Sequence, residues 1–497
     1  MSLPFRPLFF WLLTMTFFVT SPIVILFMMG YRYSFDRGVF IYTGSISITA
    51  NPQNNLDIHV NGSPVSAETN EINRSFHIGG LRPGEHTISV SSPGFSSWSK
   101  TVTIHSGRAT EFWNVLLTRN DYPRVNLSLP KGAFDFFPSP DRRKFLIPVE
   151  NDGEFTLLLL TQATQEMRQI FSSREFSLAP PAAHPPVQWL ARDDSSLLLS
   201  LLSRTDGSPN FFLVNSDTLS TVNVKDIFSI PHLRSVRPNP ERAETLVALS
   251  GRTLFELSVT EPSSATLLSE NVDAYDFLGD AVIAFESASG ILSKIPRGNP
   301  TDRIQITTAP PENYDSNSQG TWSIIAYDER RIVVLNREKG RLFFLNRGEN
   351  SRSWKRLSND ATGAQFSDDG KKLLFWNDWE ISTVFTRTWE VQPVREEGTR
   401  LDIGRFSEKI TFVQWSKDYE HVIFSLGNDI RITELDDRGG RNTSPILSLP
   451  HPPLRVSSFG ENNRLIFLTP SENETSSFPI FSSIVFPEPA GLFGFGT

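Results

Sequence analysis

Histidines and paired carboxylates are the residues of this chain whose types could do chemistry. The chain has no cysteine, which excludes thiolate nucleophiles, disulfides and cysteine-bound zinc or iron–sulfur centres. No two of the eight histidines have the spacing of four residues, with a glutamate between them, by which a helix holds catalytic zinc. They are His59, His77, His86, His105, His184, His232, His421 and His451. We predict no metal-ligating residue and expect the first four histidines to be surface or edge residues.

Sequence motifs for other chemistries are also absent. The sequence contains no Gly-x-Ser-x-Gly nucleophile elbow, no phosphate-binding P-loop and no dinucleotide fingerprint. We therefore predict no catalytic residue, no cofactor-binding residue and no cofactor.

Adjacent carboxylates occur at Asp193-Asp194 and at Asp368-Asp369, and they admit two interpretations. Such pairs can bind calcium or act as general acids. In a turn, adjacent carboxylates more often accept hydrogen bonds from backbone N–H groups. Gly370 follows the second pair and can take the positive φ that a tight turn requires. We predict that both pairs build turns.

Tryptophans could stack against sugar or peptide ligands. Trp189 and Trp415 occupy equivalent places before a polar turn, which indicates core positions. Trp379 lies in the polar sequence Asn377-Asp-Trp-Glu and is predicted to lie in a loop. Surface binding by Trp379 is a hypothesis.

A polar turn followed by a short apolar strand recurs along most of the chain. The clearest copy is Phe366-Ser-Asp-Asp-Gly-Lys-Lys-Leu-Leu-Phe-Trp376. Related copies begin at Phe136, Val187 and Val413, and weaker ones begin at Val236, Phe277, Ile325 and Phe459. The turns recur about every 40–50 residues, a period typical of propeller blades. We predict a β-propeller of seven or eight blades with about four strands each.

The apolar runs within these copies could belong to strands or to buried helices. Leu373-Leu-Phe375 and Leu197-Leu-Leu199 suit strands that are buried on both faces. Between residues 130 and 480 no long apolar stripe with a 3.6-residue period appears, so we predict strands. The Ser-x-Asp-x-x-Lys-apolar turn resembles the propeller repeats of the translocation-associated periplasmic family. Because propellers host many functions, that resemblance implies architecture more than activity.

Residues 8–29 contain no charge and are numerous enough to cross a bilayer at about 1.5 Å per residue. A cleavable signal peptide is the alternative, but its apolar region usually spans only about 7–15 residues before a small-residue cleavage site. Here the stretch is followed by Gly30-Tyr-Arg-Tyr33. We predict a retained transmembrane helix, with Trp11 and Tyr31 at the membrane interfaces. Basic residues flank both ends, so charge leaves the orientation open.

Residues 44–119 alternate between apolar and polar side chains in short runs separated by turn dipeptides such as Asn61-Gly62 and Pro83-Gly84. The pattern predicts a small β-sandwich of about five strands. The stretches 44–52, 56–62 and 81–90, with the last reading Leu-Arg-Pro-Gly-Glu-His-Thr-Ile-Ser-Val, resemble the PEGA domain, as does Pro93-Gly-Phe95. The resemblance implies a non-catalytic spacer or binding unit of bacterial surface or envelope proteins, with most of the chain outside the cytoplasm.

The predicted organisation is mostly β. It comprises a tail (1–7), a transmembrane helix (8–29), a juxtamembrane segment (30–43), a PEGA-like β-sandwich (44–119), a linker (120–133), a β-propeller (134–486) and a C-terminal tail (487–497).

The chain's formal net charge is −8, and no Lys/Arg cluster opposes it, so we expect no nucleic-acid partner. The leading hypothesis is a non-catalytic, single-pass cell-membrane protein with most of the chain extracytoplasmic. Its propeller would bind an envelope protein or a cell-wall polysaccharide such as peptidoglycan. The alternative is a propeller enzyme that acts on glycans at the central channel, because such sites draw isolated carboxylates from different blades.

Overall fold

A computed structural model describes residues 5–34, 38–53, 55–70, 74–180, 184–190, 195–261, 265–296, 302–312, 314–316, 320–348, 354–459, 464–470 and 478–486. These residues form one long helix, one short helix and many short strands. The prediction of a mostly β chain with one N-terminal apolar helix is confirmed. The C-terminal tail and Asp193-Asp194 lie outside the described residues.

Helix α1 (Phe5–Met28) is apolar on all sides. Its residues Pro7–Met28 have a mean hydropathy of 2.0 and none is buried, so the helix is long and apolar enough to cross a membrane, as a signal sequence also is. The hydroxyls of Thr14, Thr16 and Thr20 each donate to the carbonyl four residues earlier. These bonds satisfy the polar side chains of an otherwise apolar helix.

A two-stranded antiparallel hairpin follows the helix. It consists of β1 (Tyr31–Ser34) and β2 (Val39–Tyr42), with Tyr31 opposite Tyr42 and Tyr33 opposite Phe40. The hairpin joins α1 to the first β module.

That module packs two four-stranded sheets face to face, in the orders β10-β3-β7-β6 and β5-β4-β8-β9. Its strands are β3 (Gly44–Asn51), β4 (Asp57–Val60), β5 (Ser63–Pro64), β6 (Glu68–Asn70), β7 (Ser75–Leu81), β8 (Gly84–Ser91), β9 (Trp98–Ile104) and β10 (Ala109–Leu116). Alternate residues of β3 are buried, as a strand with one core face requires. Asn61 and Gly62 both take positive φ in the tight turn between β4 and β5. The structure therefore has the predicted sandwich, with more strands than the five expected.

Eight antiparallel sheets, here called blades 1 to 8, make up most of the remaining described chain. Blade 1 contains β12 (Phe137–Pro138), β13 (Lys144–Asn151), β14 (Glu154–Thr161) and β15 (Glu166–Ser173), after the separate strand β11 (Val125–Ser128). Blade 2 contains β16 (Phe176–Leu178), β17 (Val187–Trp189), β18 (Ser196–Ser203), β19 (Pro209–Asn215) and β20 (Thr221–Asn223), and the short helix α2 (Val224–Phe228) follows it. Blade 3 contains β21 (Leu233–Asn239), β22 (Arg242–Ser250), β23 (Thr253–Ser258) and β24 (Ala265–Ser269). Blade 4 contains β25 (Ala274–Leu278), β26 (Ala281–Glu286), β27 (Ile291–Ile295) and β28 (Ile304–Gln305).

The other four blades repeat the same plan. Blade 5 contains β29 (Trp322–Asp328), β30 (Arg331–Asn336), β31 (Arg341–Asn346) and β32 (Trp354–Ser358). Blade 6 contains β33 (Gly363–Phe366), β34 (Lys372–Trp376), β35 (Glu380–Phe385) and β36 (Arg400–Arg405). Blade 7 contains β37 (Ile410–Trp415), β38 (His421–Leu426), β39 (Asp429–Glu434) and β40 (Thr443–Ser448). Blade 8 contains β41 (Arg455–Phe459), β42 (Arg464–Thr469) and β43 (Ile480–Val485), with β11 as its fourth strand.

The ring is closed by β11, which pairs antiparallel with β43. Residues 120–133, expected to form a linker, thus contain a strand of the last blade. Its four residues carry little local signal, and its partner lies more than 350 residues further on, at positions 480–483. Closure brings together the apolar faces of blades 8 and 1, which an open ring would expose to water.

Apolar clusters lie between neighbouring blades, including blades 8 and 1, where Phe145 packs with Ile466 and Phe481. Successive residues of a blade's second strand point to opposite faces and join different clusters. In blade 6, Leu374 packs towards blade 7 while Leu373 and Phe375 pack towards blade 5. This arrangement explains why these strands read as continuous apolar runs.

Candidate functional site

The Ser-x-Asp turns hold their carboxylates in structural hydrogen bonds. Ser367 Oγ donates to Asp369 Oδ1 at 2.6 Å, and the backbone N–H of Lys371 donates to the same oxygen at 3.0 Å. In blade 1, Ser139 and the N–H of Arg143 bind Asp141 at the same distances. At the described turns, the prediction that these acidic residues build turns therefore agrees with their hydrogen bonds.

Replacing Asp369 with alanine is expected to lower the free energy of unfolding by about 1–2 kcal/mol, because two donors lose their acceptor. Asp369→Asn keeps an acceptor oxygen at the same place and is expected to cost clearly less. Urea unfolding followed by tryptophan fluorescence measures both variants. Equal losses in the two variants would contradict the structural assignment of this carboxylate.

The histidines are distributed over both β modules. Within the described residues, no group of three or more Asp, Glu or His side chains is placed to hold a metal ion. His86 contacts Asn61 and the carbonyl of Arg82 in the sandwich. His421 is buried against Asp418 in blade 7. His184, in contrast, lies beside a cavity between the blades.

The two equivalent tryptophans differ in their hydrogen bonds. Trp415 is buried, and its Nε1 donates to the carbonyl of Gln365 at 3.1 Å. Trp189 packs against the core of blades 1 and 2, but its buried Nε1 has no acceptor among the described residues. Trp379 lies in the turn between β34 and β35 and is 47% exposed, which agrees with the predicted loop position.

Polar side chains link the first strands of successive blades around the channel. Arg237 of β21 donates to Asp276 Oδ1 of β25 at 3.0 Å, and Asp276 Oδ2 accepts from the backbone N–H of Ala326 in β29 at 2.8 Å. On the other side of the ring, Gln414 of β37 exchanges two hydrogen bonds with the backbone of Ser458 in β41. Polar side chains that could otherwise bind a ligand or catalyse a reaction are thus used to hold neighbouring blades together.

Two cavities lie where blades 2 to 5 meet, and they share Gln188 and Arg237. The first has a volume of about 410 Å³ and is walled mainly by apolar residues, with His184, Arg234 and Asp273 among its polar ones. The second has a volume of about 420 Å³ and includes Trp189.

The second cavity opens more widely to solvent than the first. We therefore call the first the closed cavity and the second the open cavity. Together they form the paired cavity. A concave, mostly apolar site with a few polar groups is the usual form of a ligand-binding site.

The paired cavity has a positive electrostatic environment. Burial, together with the guanidinium groups of Arg237 and Arg337, lowers the pKa of His184 to about 2, so this imidazole is neutral near pH 7. Burial raises the pKa of Tyr275 to about 12, and its hydroxyl donates to the carbonyl of Val247 at 2.7 Å. These two groups therefore stay uncharged.

The carboxylates at the cavity are already engaged. Asp273 accepts from Arg252 at 2.9 Å and from both the N–H and the hydroxyl of Ser287 at 2.7 Å. Asp276 is bound by Arg237 and Ala326. To accept a hydrogen bond from a ligand, either carboxylate would have to give up one of these bonds.

Two donors at the paired cavity lack acceptors. The Nε–H of Arg237 and the Nε1–H of Trp189 are both buried, and neither meets an acceptor among the described residues. A buried donor without a partner costs about 1–3 kcal/mol. Because both atoms are buried, a ligand oxygen or an ordered water could accept from them and recover that energy only after these side chains shift.

The sequence singled out Trp189 but not Arg237 as a residue of interest. Arg237 lies in a weak copy of the turn–strand repeat, Val236-Arg-Pro-Asn-Pro-Glu241. The sequence signal that could have identified Arg237 is a charged residue in the first strand of a blade. The Asp-rich turns, which first suggested chemistry, belong to the scaffold.

Each of the two β modules is similar to known proteins. The propeller is similar to the β-propeller domain of Cps50 (Swd1) from Myceliophteria thermophila, with 13% identity, a TM-score of 0.39, and coverage of 73% of this chain and 100% of that one. It is similar to oligogalacturonate lyase from Vibrio parahaemolyticus, with 10% identity, a TM-score of 0.39, and coverage of 72% and 91%. A eukaryotic initiation factor gives 11% identity, a TM-score of 0.43, and coverage of 78% and 91%. At these identities and scores the likenesses carry no functional argument.

The sandwich has a family match of its own. Residues 43–120 match the PEGA domain, which confirms the resemblance for that part of the chain. No curated protein matches the chain in sequence.

Proposed function

We propose that this chain is a non-catalytic, membrane-anchored protein of a bacterial cell envelope whose propeller binds a protein or a cell-wall polymer in the paired cavity. Helix α1 is the anchor, the PEGA domain is the spacer, and the chain beyond α1 is extracytoplasmic. The propeller is of the kind found in the translocation-associated periplasmic family. The observation that carries the binding proposal is the pair of buried donors without acceptors, on Trp189 and Arg237.

The hydrogen-bonding groups of the cavity support a ligand rich in acceptor oxygens. Arg234 and Arg237 line the closed cavity, whereas Asp273 and Asp276 already accept from protein donors. Carbonyl and carboxylate oxygens complement such a wall. Both protein segments and the peptide-bearing polymers of a cell wall carry these groups.

Binding is favoured over the alternative of a glycan-cleaving enzyme. Five titratable side chains line the closed cavity: His184, Arg234, Arg237, Asp273 and Tyr275. Burial raises the pKa of Tyr275 to about 12, so its hydroxyl keeps its proton near pH 7. With a pKa of about 2, His184 is a poor proton acceptor near pH 7. Asp273 is held by Arg252 and Ser287, so it is not poised as a general acid. These contacts suit recognition better than proton transfer.

Replacing Trp189 with phenylalanine is expected to weaken ligand capture about tenfold, because one hydrogen bond of about 1.4 kcal/mol is lost while an aromatic ring remains. The full chain, immobilised in detergent micelles, is presented separately with peptidoglycan fragments and with envelope protein extract. Trp354→Phe is the matched control, since its buried Nε1 also has no acceptor in the described part of the chain but it lies in β32, away from the cavity.

The proposed site is supported if the wild type and Trp354→Phe capture a ligand equally and Trp189→Phe captures less of it. Equal capture by the wild type and both variants would overturn the assignment to the paired cavity. Conversion of a glycan by the wild-type chain would replace the binding proposal with the enzymatic alternative.

A further inference from the structure

The hairpin formed by β1 and β2 presents an aromatic face immediately after α1. Tyr31 stacks on Tyr42 with ring centroids 4.7 Å apart, and Tyr33 meets Phe40 edge-on at 5.3 Å. In the ladder these are directly opposed pairs two residues apart, so all four rings lie on one face. Three of them are substantially exposed: Tyr33 by 43%, Phe40 by 40% and Tyr42 by 39%.

Several bonds fix this hairpin to the end of the helix. Arg32 donates to the carbonyl of Phe27 at 2.9 Å, and its guanidinium lies 4.0 Å from the centroid of the Phe27 ring. Gly30 takes a φ of +89° as the helix ends, and its carbonyl accepts from the N–H and the hydroxyl of Thr43. A carbonyl of the last helical turn is thereby satisfied, and the hairpin cannot move far from the helix.

The hairpin also contacts the PEGA domain. Tyr42 lies so close to Gly107 that a Cβ at that position would be 1.9 Å from its hydroxyl. The N–H of Gly107 donates to the carbonyl of Thr43 at 3.0 Å. The hairpin is therefore a joint with contacts on both the helix and the first β domain.

We propose that the aromatic face of this hairpin lies in the lipid headgroup region and sets the orientation of the PEGA domain and propeller on the membrane. This inference rests on the proposed anchoring of α1. Tyrosine and tryptophan concentrate at membrane interfaces, where an apolar ring and a polar group are both accommodated. The two ring pairs are about 6.6 Å apart along the strands, so both fit within an interfacial layer of about 5–8 Å that begins where the helix ends.

Single-cysteine spin labelling tests this placement cleanly, because the chain has no cysteine of its own. The full chain is reconstituted in phosphatidylcholine vesicles with a nitroxide at Tyr33→Cys or Phe40→Cys. Val19→Cys in α1 is the reference for a position within the bilayer, and Thr103→Cys on the exposed side of β9 is the aqueous reference. Val39→Cys keeps all four rings and places its label on the opposite face of the hairpin, so it is the matched control for the aromatic face.

The ratio of accessibility to oxygen over accessibility to a water-soluble nickel complex is expected to be several-fold higher at positions 33 and 40 than at 39 and 103. It is expected to be highest at position 19. Labels at 33 and 40 that match position 103, while position 19 is embedded, would overturn this inference and leave the anchor intact. A label at 19 that also matches 103 would refute the anchor itself. Low accessibility of the hairpin to both reagents would mean that protein covers the face, which also overturns the proposal.

Discussion

Replacing Lys100 with methionine is expected to lower the free energy of unfolding of the full chain by about 3–5 kcal/mol. The ammonium group of Lys100 is fully buried between the PEGA domain and blade 7. It donates to the carbonyls of Asp436, Arg438 and Gly440 at 2.7, 3.0 and 2.7 Å, and it lies 2.8 Å from a carboxylate oxygen of Glu434. Methionine fills similar space but leaves these acceptors without a donor.

Urea unfolding of the full chain in detergent micelles measures this loss. Lys417→Met, which removes an exposed lysine from the same blade, is the matched control and is expected to change the stability by less than about 0.5 kcal/mol. Adding Glu434→Gln to Lys100→Met is expected to recover part of the loss, because the buried negative charge is then removed as well. A loss below about 1 kcal/mol in Lys100→Met would contradict the importance of this contact.

The contact shows what the sequence pattern could and could not predict about the joint between the two β domains. Alternation along β9 places Lys100 on the same side as Trp98, Val102 and Ile104, all of which are buried. A lysine on an inward face is therefore a signal available in the sequence. Its acceptors, however, come from residues more than 330 positions away, which no local pattern identifies.

Other contacts between the domains have the same long-range character. Arg438 donates to the carbonyl of Glu111 at 2.8 Å, with its guanidinium 4.5 Å from the centroid of the Phe112 ring. The side chain of Gln392 accepts from the N–H of Glu111 and donates to the carbonyl of Ala109. These bonds hold the PEGA domain against the propeller.

The two equivalent tryptophans show a different limit of what the sequence can predict. Equivalent positions in the repeat gave Trp189 and Trp415 the same interpretation, and the packing of both against a core agrees with it. Their hydrogen bonds differ because Gln365 in the preceding blade supplies an acceptor for Trp415, while Trp189 has none among the described residues. A repeat pattern predicts the backbone position, but the neighbouring blade decides whether a side chain is satisfied.

Asp418→Asn is expected to cost about 1.5–3 kcal/mol at pH 6 and to change how stability depends on pH. Asp418 Oδ2 accepts from Nδ1 of the buried His421 at 2.7 Å, and Oδ1 accepts from the N–H groups of Glu420 and His421. Asparagine can keep the backbone bonds through its oxygen. It removes the charge that faces the imidazole.

Two opposing effects act on the pKa of His421. Burial lowers it, but Asp418 and the further carboxylates Glu434 and Glu420 raise it by more, so the folded pKa lies above the ordinary value. The stabilisation from this proton is therefore complete below about pH 6.5, the ordinary histidine pKa, and is lost as the pH rises through the folded pKa. For Asp418, burial raises the pKa, but the charge and hydrogen bond of His421 and the backbone N–H groups of Glu420 and His421 together lower it by more, so its contribution is lost only in acid.

In the wild type, stability is consequently expected to decrease between pH 6 and pH 9. In Asp418→Asn, burial of His421 is opposed only by Glu434 and Glu420, so the decrease should flatten or reverse in sign. Urea unfolding at a series of pH values measures both proteins, with His451→Gln as the control because His451 is exposed and should leave the wild-type profile unchanged. If Asp418→Asn kept the full wild-type decrease, the pH dependence would have to arise elsewhere. His421 pairs across the strands with Glu434, which also binds Lys100 and Trp98 of the PEGA domain. The titrating group would then be sought among these charged residues, where the PEGA domain contacts blade 7.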